Sequence, residues 1–590
     1  MDIARASDRT APRRHRRAAA VLSGLLLAGA MVLQGTPPLR ATAAASDEAT
    51  SYRIDAAHSG AQPGDTLATP LAQRWSVNLG GSVSYPLIAG GRVFVSVADS
   101  PNYGSRLYAL DATTGATLWG PVELGGTYWF ADSAYDNGRV FTIDFDGLLR
   151  AFDAGAGTLD WSVKLPNQYA FSSAPTAVNG IVYVGGAGSG GTLYAVSETT
   201  GALLWSQPVM NGDDSAPAVT SSGVYVTYAC QQDYAFDPVQ GTQLWHHSTG
   251  CEGGGGQTPS LSGGRVYDLN TAFNSTTGVT APPVVLDATT GTEVGSFSAT
   301  RLPAFDNGLG FFLNSGTLRG ITLSTGTVDW SFAGDGTLDT APVVAGGKVY
   351  IAGTSGILDA VDESTGALTW SQPLKGSPAC TSACEDSGFA IGEGMLLTPV
   401  GSTLSAYTTM TAPVVTGVSP GAGPVAGGAT VTVSGSGFSQ GVSAVRFGGT
   451  AAASFTVLSD TRLTAVSPAL AAGAVDVSVA DAAGSSALST ADRYTAVAPP
   501  TVTSLCPASG TTKGGTAVTL TGANLSGVTA VRFGSVAATG VTSLSSTSVR
   551  VTTPAEPAGT VAVSVTTSAG GTGSGPATYT FTGAKKPGGC

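Results

Sequence analysis

Apolar and polar residues alternate in short runs along most of the chain, and turns rich in Gly, Asp and Thr separate the runs. Residues 107–119 (LYALDATTGATLW) show the unit, which is an apolar run, a turn containing Gly115, and a second run that ends in Trp119. Alternation of this kind predicts β-strands, and Gly supplies the positive φ that a short hairpin loop needs. The unit therefore predicts a β-hairpin.

The hairpin pattern recurs through the first two thirds of the chain. Copies that end in Trp lie at residues 150–161, 193–205, 234–245, 319–330 and 358–370, and a copy that ends in Phe lies at 285–297. Strand–turn–strand pairs precede several of them, as at residues 84–95 and 173–184. Four short strands in a repeat of roughly 40 residues indicate the blade of a β-propeller.

The number of blades and their closure follow from the same pattern. Innermost strands are expected to begin near Tyr85, Phe130, Ala174, Ala216, Thr258, Leu302, Ala341 and Ala390, which predicts eight blades. The last unit lacks a strand ending in Trp, whereas residues 74–79 (RWSVNL) are such a strand with no blade before it. We therefore expect Trp75 to complete the last blade, which closes the ring and leaves no free sheet edge there.

These repeats resemble the quinoprotein-type (PQQ-like) β-propeller repeat, and residues 55–60 (DAAHSG) resemble the segment that leads into it. The resemblance covers roughly residues 52–410 and implies the propeller fold. It implies little about function, because the repeated residues are packing residues. Enzymes of that family carry an adjacent-Cys disulfide and a set of carboxylate and Asn ligands for Ca²⁺, whereas this chain has no adjacent Cys pair.

The pattern changes after residue 410. Residues 412–447 are echoed by residues 500–533, with Gly-Gly turns at 427–428 and 514–515, and both stretches resemble the IPT/TIG module, an immunoglobulin-like sandwich. The fold expected is all-β, with an eight-bladed β-propeller (52–410) and two immunoglobulin-like β-sandwich domains (411–498 and 499–590). The resemblance implies a spacer or adhesion role for the two modules.

The charge balance and the N-terminal segment of the chain indicate what the protein can bind and where it is located. The chain has 27 Lys and Arg against 39 Asp and Glu, an acidic excess that argues against nucleic-acid binding. Residues 1–45 combine a basic run (RRHRR, 13–17), an apolar run and a small-residue site, which predicts a secretory signal peptide on the general or the twin-arginine route. We expect a secreted or cell wall-associated monomer with no transmembrane segment in the mature chain.

The cysteines are predicted to form disulfides, since the chain is expected to be exported. Cys230 and Cys251 are expected in loops on one propeller face, Cys380 and Cys384 lie close together before the last blade, and Cys506 and Cys590 flank the final domain. The alternative is that the six are unpaired buried thiols.

One aromatic cluster stands apart from the repeat. Tyr128, Trp129 and Phe130, with Asp132 after them, begin an innermost strand at the top of the channel, and Trp129 is the one Trp that blade closure does not explain. Such a cluster would stack a sugar or a planar ligand, or it packs against neighbouring blades. Carboxylates expected on the same face are Asp144, Asp146, Asp213, Asp214, Asp233, Glu252, Asp335, Asp339, Glu385 and Asp386.

No nucleophile–base arrangement stands out, and His246 and His247 are expected to be solvated rather than metal ligands. We therefore expect a binding or scaffold protein that is not an enzyme and uses no cofactor, with a protein or glycan partner at the top face of the propeller. Two alternatives remain open: a dehydrogenase dependent on PQQ and Ca²⁺, and an extracellular glycan-binding protein.

Overall fold

The computed structural model describes residues 47–98, 103–128, 131–188, 190–210, 212, 214–249, 255–274, 279–378 and 388–583. The predicted signal peptide lies outside this part of the chain. Within it the structure is built from β-strands, and one 3₁₀ turn, Phe438–Gln440, is the only helical element described. The all-β prediction is confirmed.

The chain up to Thr409 forms successive sheets, numbered here as blades 1 to 8, whose four main strands are antiparallel and follow chain order except at the closure. The sheet of blade 7 has a fifth strand, Ala61–Gln62, which pairs parallel with its innermost strand. Blades 1 and 2 contain Leu87–Ala89, Arg92–Ala98, Ser105–Asp111 and Thr117–Gly125, then Ala131–Asp136, Arg139–Asp144, Leu148–Asp153 and Leu159–Lys164. Blades 3 and 4 contain Thr176–Val178, Ile181–Ala187, Gly191–Ser197 and Leu203–Val209, then Ala218–Thr220, Gly223–Tyr228, Gln232–Phe236 and Gln243–His247.

The later blades follow the same plan. Blade 5 contains Ser260–Ser262, Arg265–Asp268, Val284–Asp287 and Glu293–Ser296, with a hairpin of Ala272–Asn274 and Val279–Ala281 inserted. Blades 6 and 7 contain Ala304–Asp306, Leu309–Asn314, Thr317–Thr322 and Thr327–Phe332, then Val343–Ala345, Lys348–Ala352, Ile357–Asp362 and Leu368–Pro373. Blade 8 contains Ala390–Gly392, Met395–Val400, Thr403–Thr409 and, from the start of the chain, Leu71–Asn78.

The ring closes as the sequence predicts. Leu71–Asn78 pairs antiparallel with Thr403–Thr409, and Trp75 lies opposite Ala406. The innermost strand of blade 1 also contacts that of blade 8. The first and last blades are therefore neighbours, and the closing strand covers an edge that would otherwise be unpaired.

The repeated Trp and Gly residues join one blade to the next. Trp119 of blade 1 donates its Nε1 hydrogen to the carbonyl of Ala154 in blade 2, at 3.0 Å. The turn residue Gly157 has φ +68°, and a Cβ at this position would lie 2.5 Å from the Trp119 ring. The same contact joins Trp75 to Gly115, Trp161 to Gly201, Trp205 to Gly241, Trp245 to Gly291 and Trp330 to Gly366. These Gly residues are required both for the turn and for the close approach of the indole.

Residues 47–62, called the lead segment here, run across the inner strands of the ring. Backbone hydrogen bonds join them to blades 1, 2, 4, 5, 6, 7 and 8 through Ile88, Tyr135, Val219, Leu261, Phe305, Val344 and Glu393. His58 lies 3.4 Å from the hydroxyl of Thr176 in blade 3. The fully buried Arg53 donates to the carbonyls of Pro342 and Pro303, each at 2.8 Å. The lead segment therefore occupies the channel and contacts every blade.

The C-terminal part forms two sandwiches of two sheets each. One sheet of the first sandwich consists of Val414–Ser419, Thr430–Ser436, Arg462–Val466 and Ser454–Ser459. Its other sheet consists of Ala422–Pro424, Arg493–Val497, Gly473–Asp481, Ala444–Phe447, Thr450–Ala451 and Gly484–Ser485. One sheet of the second sandwich consists of Thr501–Cys506, Ala517–Ala523, Ser548–Thr552 and Thr539–Ser545. Its other sheet consists of Ser509–Thr511, Gly571–Thr582, Gly559–Thr567, Val528–Phe533 and Val536–Ala537. In the described part of the chain, no helix is long and apolar enough to cross a membrane.

Candidate functional site

The loops between second and third strands, together with the links between blades, form one face of the ring, called the top face here. The lead segment contacts the inner strands away from this face. In blade 5, for example, it bonds to Leu261, four residues beyond Gln257 of the top face, which is about 13 Å along an extended chain. A ligand that approaches the ring axis therefore does so from the top face.

The predicted aromatic cluster falls partly outside the described residues, since Trp129 and Phe130 are not among them. Tyr128 is 43% exposed, and its ring centroid lies 5.1 Å from that of Phe145 and 6.5 Å from that of Tyr103. Tyr103 is itself 62% exposed. Tyr103, Tyr128 and Phe145 form a continuous set of rings on blades 1 and 2, called the aromatic row here.

Hydrogen bonds hold the aromatic row in place. The carboxylate of Asp146 accepts from the backbone N–H of Thr127 at 2.9 Å and from its hydroxyl at 2.5 Å. The carbonyl of Tyr128 accepts from the N–H of Gly104, next to Tyr103, at 3.1 Å. Lys164 donates to the backbone carbonyl of Asp146. Asp146, predicted as a top-face carboxylate, thus fixes the loop that carries Tyr128.

Asp132, the fourth residue of the predicted ligand site, is buried, with 4% of its surface exposed. It lies in the innermost strand of blade 2, opposite Ile143. Burial raises the pKa of its carboxyl from the usual value to about 7. The structure therefore places Asp132 beneath the surface as a group that titrates near neutral pH, and its predicted part in ligand binding stays a prediction.

A second feature of the top face is a cleft between blades 4, 5 and 6, with a volume of about 540 Å³. Its polar side chains, which define the polar cleft here, are Asp214, Gln257, Asn270, Thr271, Thr300 and Arg301. The two charged groups have partners, since Ser172 donates to Asp214 at 2.6 Å and Arg301 binds Asp339 at 2.9 Å. Amide and hydroxyl groups therefore dominate what the cleft presents to a ligand.

Behind the polar cleft lies a buried pair of carboxyl groups that join blades 4 and 5. Asp233 and Asp268 are fully buried and hydrogen bond to each other, and burial raises the pKa of both well above the usual range. Asn270 of the cleft donates to Asp268 through its backbone N–H at 2.8 Å and its side-chain amide at 2.6 Å. Asp268 directly precedes Leu269 and Asn270, which line the cleft.

The expectation that His246 and His247 are simply solvated is wrong for His247. Its Nδ1 lies 3.1 Å from the buried carboxylate of Asp233, and 19% of its side chain is exposed. His246 stacks on Tyr234, with ring centroids 4.1 Å apart. The reason is that the outermost strand of blade 4 continues to His247, which brings both imidazoles beside the third strand.

The remaining predicted carboxylates serve turns and ion pairs. Asp144 pairs with Arg150 at 3.0 Å, and Asp335 accepts from Thr337 within its own turn. Asp213, Glu252, Glu385 and Asp386 lie outside the described residues. Among the side chains that the structure describes, no three of His, Cys, Asp or Glu converge on one point. Within the described residues there is therefore no Ca²⁺ site built from three carboxylates.

Two of the six cysteines belong to the described residues. Neither Cys230 nor Cys506 is a free thiol. Cys251, Cys380, Cys384 and Cys590 lie outside the described part of the chain. The three predicted pairings therefore stay predictions.

Comparison with known families accounts for most of the chain. A family model described as outer membrane protein assembly factor BamB, built on PQQ-like repeats, matches residues 68–130, 145–281 and 282–407, more than half of the chain. The IPT/TIG domain model matches residues 413–495 and 500–581. Both resemblances seen in the sequence are confirmed.

Individual relatives fall into two groups. The dehydrogenase subunit of alcohol dehydrogenase (quinone) from Gluconobacter oxydans is 29% identical over 213 residues, which is 27% of this chain and 27% of that protein. BamB from Yersinia pestis is 25% identical over 311 residues, or 50% of this chain and 70% of that protein. A solved europium-containing methanol dehydrogenase aligns with TM-score 0.45 and 15% identity, covering 61% of this chain and 98% of that one.

The expectation that the chain is not an enzyme is contradicted by these relatives, which include quinone-dependent alcohol dehydrogenases. That expectation depended on the missing Cys pair and on the absence of an assignable ligand set. The match spans about a quarter of the Gluconobacter protein. Motifs that this chain lacks therefore do not decide whether it is more similar to the dehydrogenases or to BamB.

Proposed function

We propose a ligand-binding function for this chain, which belongs to the family described as outer membrane protein assembly factor BamB and carries two IPT/TIG domains. In this proposal the top face of the propeller is the binding surface, and the two sandwiches are spacers. We also propose that the chain is secreted or associated with the cell wall, and the signal peptide predicted from residues 1–45 supports this. The partner is a protein or a glycan of the cell surface.

One observation carries the proposal. The lead segment occupies the channel at the end away from the top face, whereas the top face presents the polar cleft and the exposed rings of Tyr103 and Tyr128. Large exposed aromatic side chains and polar concavities are each typical of binding surfaces, and both lie on this face. On the opposite face, six of the turns between third and fourth strands hold a Gly in contact with a Trp of the neighbouring blade.

The test is binding of the purified mature chain to intact cells of the organism that produces it. Gln257 lines the polar cleft, whereas Gln240 is exposed in a turn on the opposite face of blade 4. We expect Gln257→Ala to weaken cell binding several-fold and Gln240→Ala to leave it at the wild-type level. Absence of binding by the wild-type chain, or equal loss in both variants, contradicts the proposal.

A second candidate, a dehydrogenase dependent on PQQ and Ca²⁺, is favoured by the sequence match to the Gluconobacter dehydrogenase subunit. Among the described side chains, no three carboxylates converge on one point for the metal. Incubation of the mature chain with PQQ and Ca²⁺, followed by reduction of an artificial electron acceptor with primary alcohols, tests it directly. Turnover that requires both additions favours the dehydrogenase over the binding protein.

A further inference from the structure

We propose that the top face binds a neutral polysaccharide, with sugar rings stacked on the aromatic row and hydroxyl groups bonded in the polar cleft. This inference rests on the proposed binding function and names the class of its ligand. It depends on three independent properties of the surface, which are its aromatic geometry, its hydrogen-bonding chemistry and its charge.

The aromatic row is exposed and fixed at the same time. Tyr103 and Tyr128 expose 62% and 43% of their surfaces, and their rings are inclined by only 20° to each other. Asp146 and Gly104 hold the backbone of the loops that carry them. An apolar ring face that is already ordered loses little conformational entropy on binding, and it matches the apolar C–H face of a sugar ring.

The polar cleft suits hydroxyl groups. The side-chain amide of Gln257 and the hydroxyl of Thr271 can donate and accept hydrogen bonds, as sugar hydroxyls do. The hydroxyl of Thr300 donates to the carbonyl of Leu313 at 3.2 Å, and its oxygen can accept a hydrogen bond from a sugar. Ser172 and Asp339 satisfy the two charged groups of the cleft, Asp214 and Arg301. The cleft therefore offers neutral hydrogen bonding rather than a charged clamp for a carboxylate or a phosphate.

Charge selects among polysaccharides. The chain carries a net charge of −12, so its field repels acidic polymers such as uronic-acid chains or teichoic acids. Among the groups next to the aromatic row, Asp146 is a carboxylate, the cation Arg150 is paired with Asp144, and the cation Lys164 donates to the backbone carbonyl of Asp146. A neutral polymer meets no such repulsion, and this distinguishes the proposed ligand from anionic cell-wall components.

Affinity electrophoresis of the mature chain in gels containing soluble starch, xylan, β-glucan or hydroxyethylcellulose tests the proposal, with alginate and heparin as acidic counterparts. We expect retardation by at least one neutral polymer and by neither acidic one. Tyr103→Ala is expected to weaken retardation about tenfold, the effect of losing one stacked ring. Tyr103→Phe keeps the ring and is expected to remain within about twofold of wild type.

Leu118→Ala is the matched control, since Leu118 is also largely exposed but lies on the outermost strand of blade 1. Retardation by no neutral polymer, or equal loss in Tyr103→Ala and Leu118→Ala, overturns the polysaccharide proposal. The cell-binding assay separates this failure from failure of the binding function itself. Cells that still bind the chain after periodate oxidation of their glycans, but not after protease treatment, indicate a protein partner instead.

Discussion

At the scale of single residues, the sequence shows the packing residues well and the site residues poorly. Trp119 and Gly157 recur with the repeat, so their roles as blade contacts could be predicted from spacing. Tyr103 could not, because it lies in a loop without periodicity, and only the fold brings it beside Tyr128. The pairing of Asp233 with Asp268 was equally hidden, because the two residues belong to different blades.

The contact between Trp and Gly residues can be tested by comparing Ala substitutions at two turn glycines, one with the contact and one without it. Gly157 and Gly326 both have positive φ. A Cβ added at Gly157 would lie 2.5 Å from the Trp119 ring, whereas a Cβ added at Gly326 would have no atom within 4 Å. The difference arises because the blade before Gly326 ends in Phe297 rather than in Trp. We expect Gly326→Ala to lower the free energy of unfolding by about 1 kcal/mol, the cost of a left-handed Ala. Gly157→Ala should cost a further ~1–3 kcal/mol from the clash with the indole.

Denaturant titrations followed by Trp fluorescence measure both values, because all eight Trp residues lie in the propeller. Equal destabilisation by the two substitutions would show that the indole contact adds nothing to the cost of the backbone conformation.

The buried carboxyl pair predicts a pH dependence with a definite sign. The pKa of Asp268 is raised in the folded state, so its contribution to stability is complete below the ordinary pKa of about 4 and is lost as pH rises through the folded value. Asp268→Asn keeps a donor for Asp233 at every pH. We expect the melting temperature of this variant to fall less than that of wild type between about pH 5 and pH 9.

The control for that comparison is Asp160→Asn, which removes an exposed carboxylate paired with Arg139. It should retain the wild-type slope. A wild-type melting temperature that does not decline toward alkaline pH, or an Asp268→Asn variant with an unchanged slope, would exclude proton sharing between the two carboxyls.

At the scale of elements, the strands and hairpins follow from alternation and turn residues, and closure by residues 74–79 was predicted from one unpaired Trp strand. The path of the lead segment was not predictable in this way. Residues 55–60 resemble the segment that leads into PQQ-like repeats, but nothing in their pattern shows that the backbone of the lead segment hydrogen bonds to seven of the eight blades. Those contacts consist of backbone hydrogen bonds, which any residue type can make, so they leave little trace in the sequence.

We expect the lead segment to be essential for the stability of the ring, and a substitution of Arg53 tests this expectation. Its buried guanidinium donates to the carbonyls of Pro342 and Pro303, which Arg53→Met would leave without this donor. We expect a loss of about 2–6 kcal/mol in the free energy of unfolding, since each buried carbonyl left without a donor costs about 1–3 kcal/mol. Arg74→Met, which removes an exposed arginine bonded to the carbonyl of Thr113, should cost less than about 1 kcal/mol. Similar values for both would mean that the lead segment is only loosely held.

At the scale of the whole molecule, the change of pattern after residue 410 predicted a separate architecture, and the hydrophobic cores agree with it. Val431, Phe447 and Tyr494 belong to a core of the first sandwich, and Val518, Phe533 and Tyr579 to a core of the second, without residues of the propeller. The sequence predicts which loops share the top face, but it does not predict the polar cleft, because the cleft combines side chains from loops of three blades.

Separate cores predict separate unfolding. The sandwiches contain no Trp, so Trp fluorescence reports the propeller alone, whereas far-ultraviolet circular dichroism reports every strand. We expect the circular dichroism melt to show a transition that Trp fluorescence does not detect. Superimposable melts by both probes would indicate that propeller and sandwiches unfold as one cooperative unit.

Photo-cross-linking on living cells tests the central claim, that the top face of the propeller is the binding surface, most directly. A benzophenone amino acid placed at Tyr103 or Gln257 samples the top face, whereas placement at Leu118 or Val239 samples the outer strand of blade 1 and a turn on the opposite face. We predict that irradiation yields a high-mass adduct from the two top-face positions and none from the other two. Adducts from Leu118 or Val239, with none from Tyr103 and Gln257, would contradict the account.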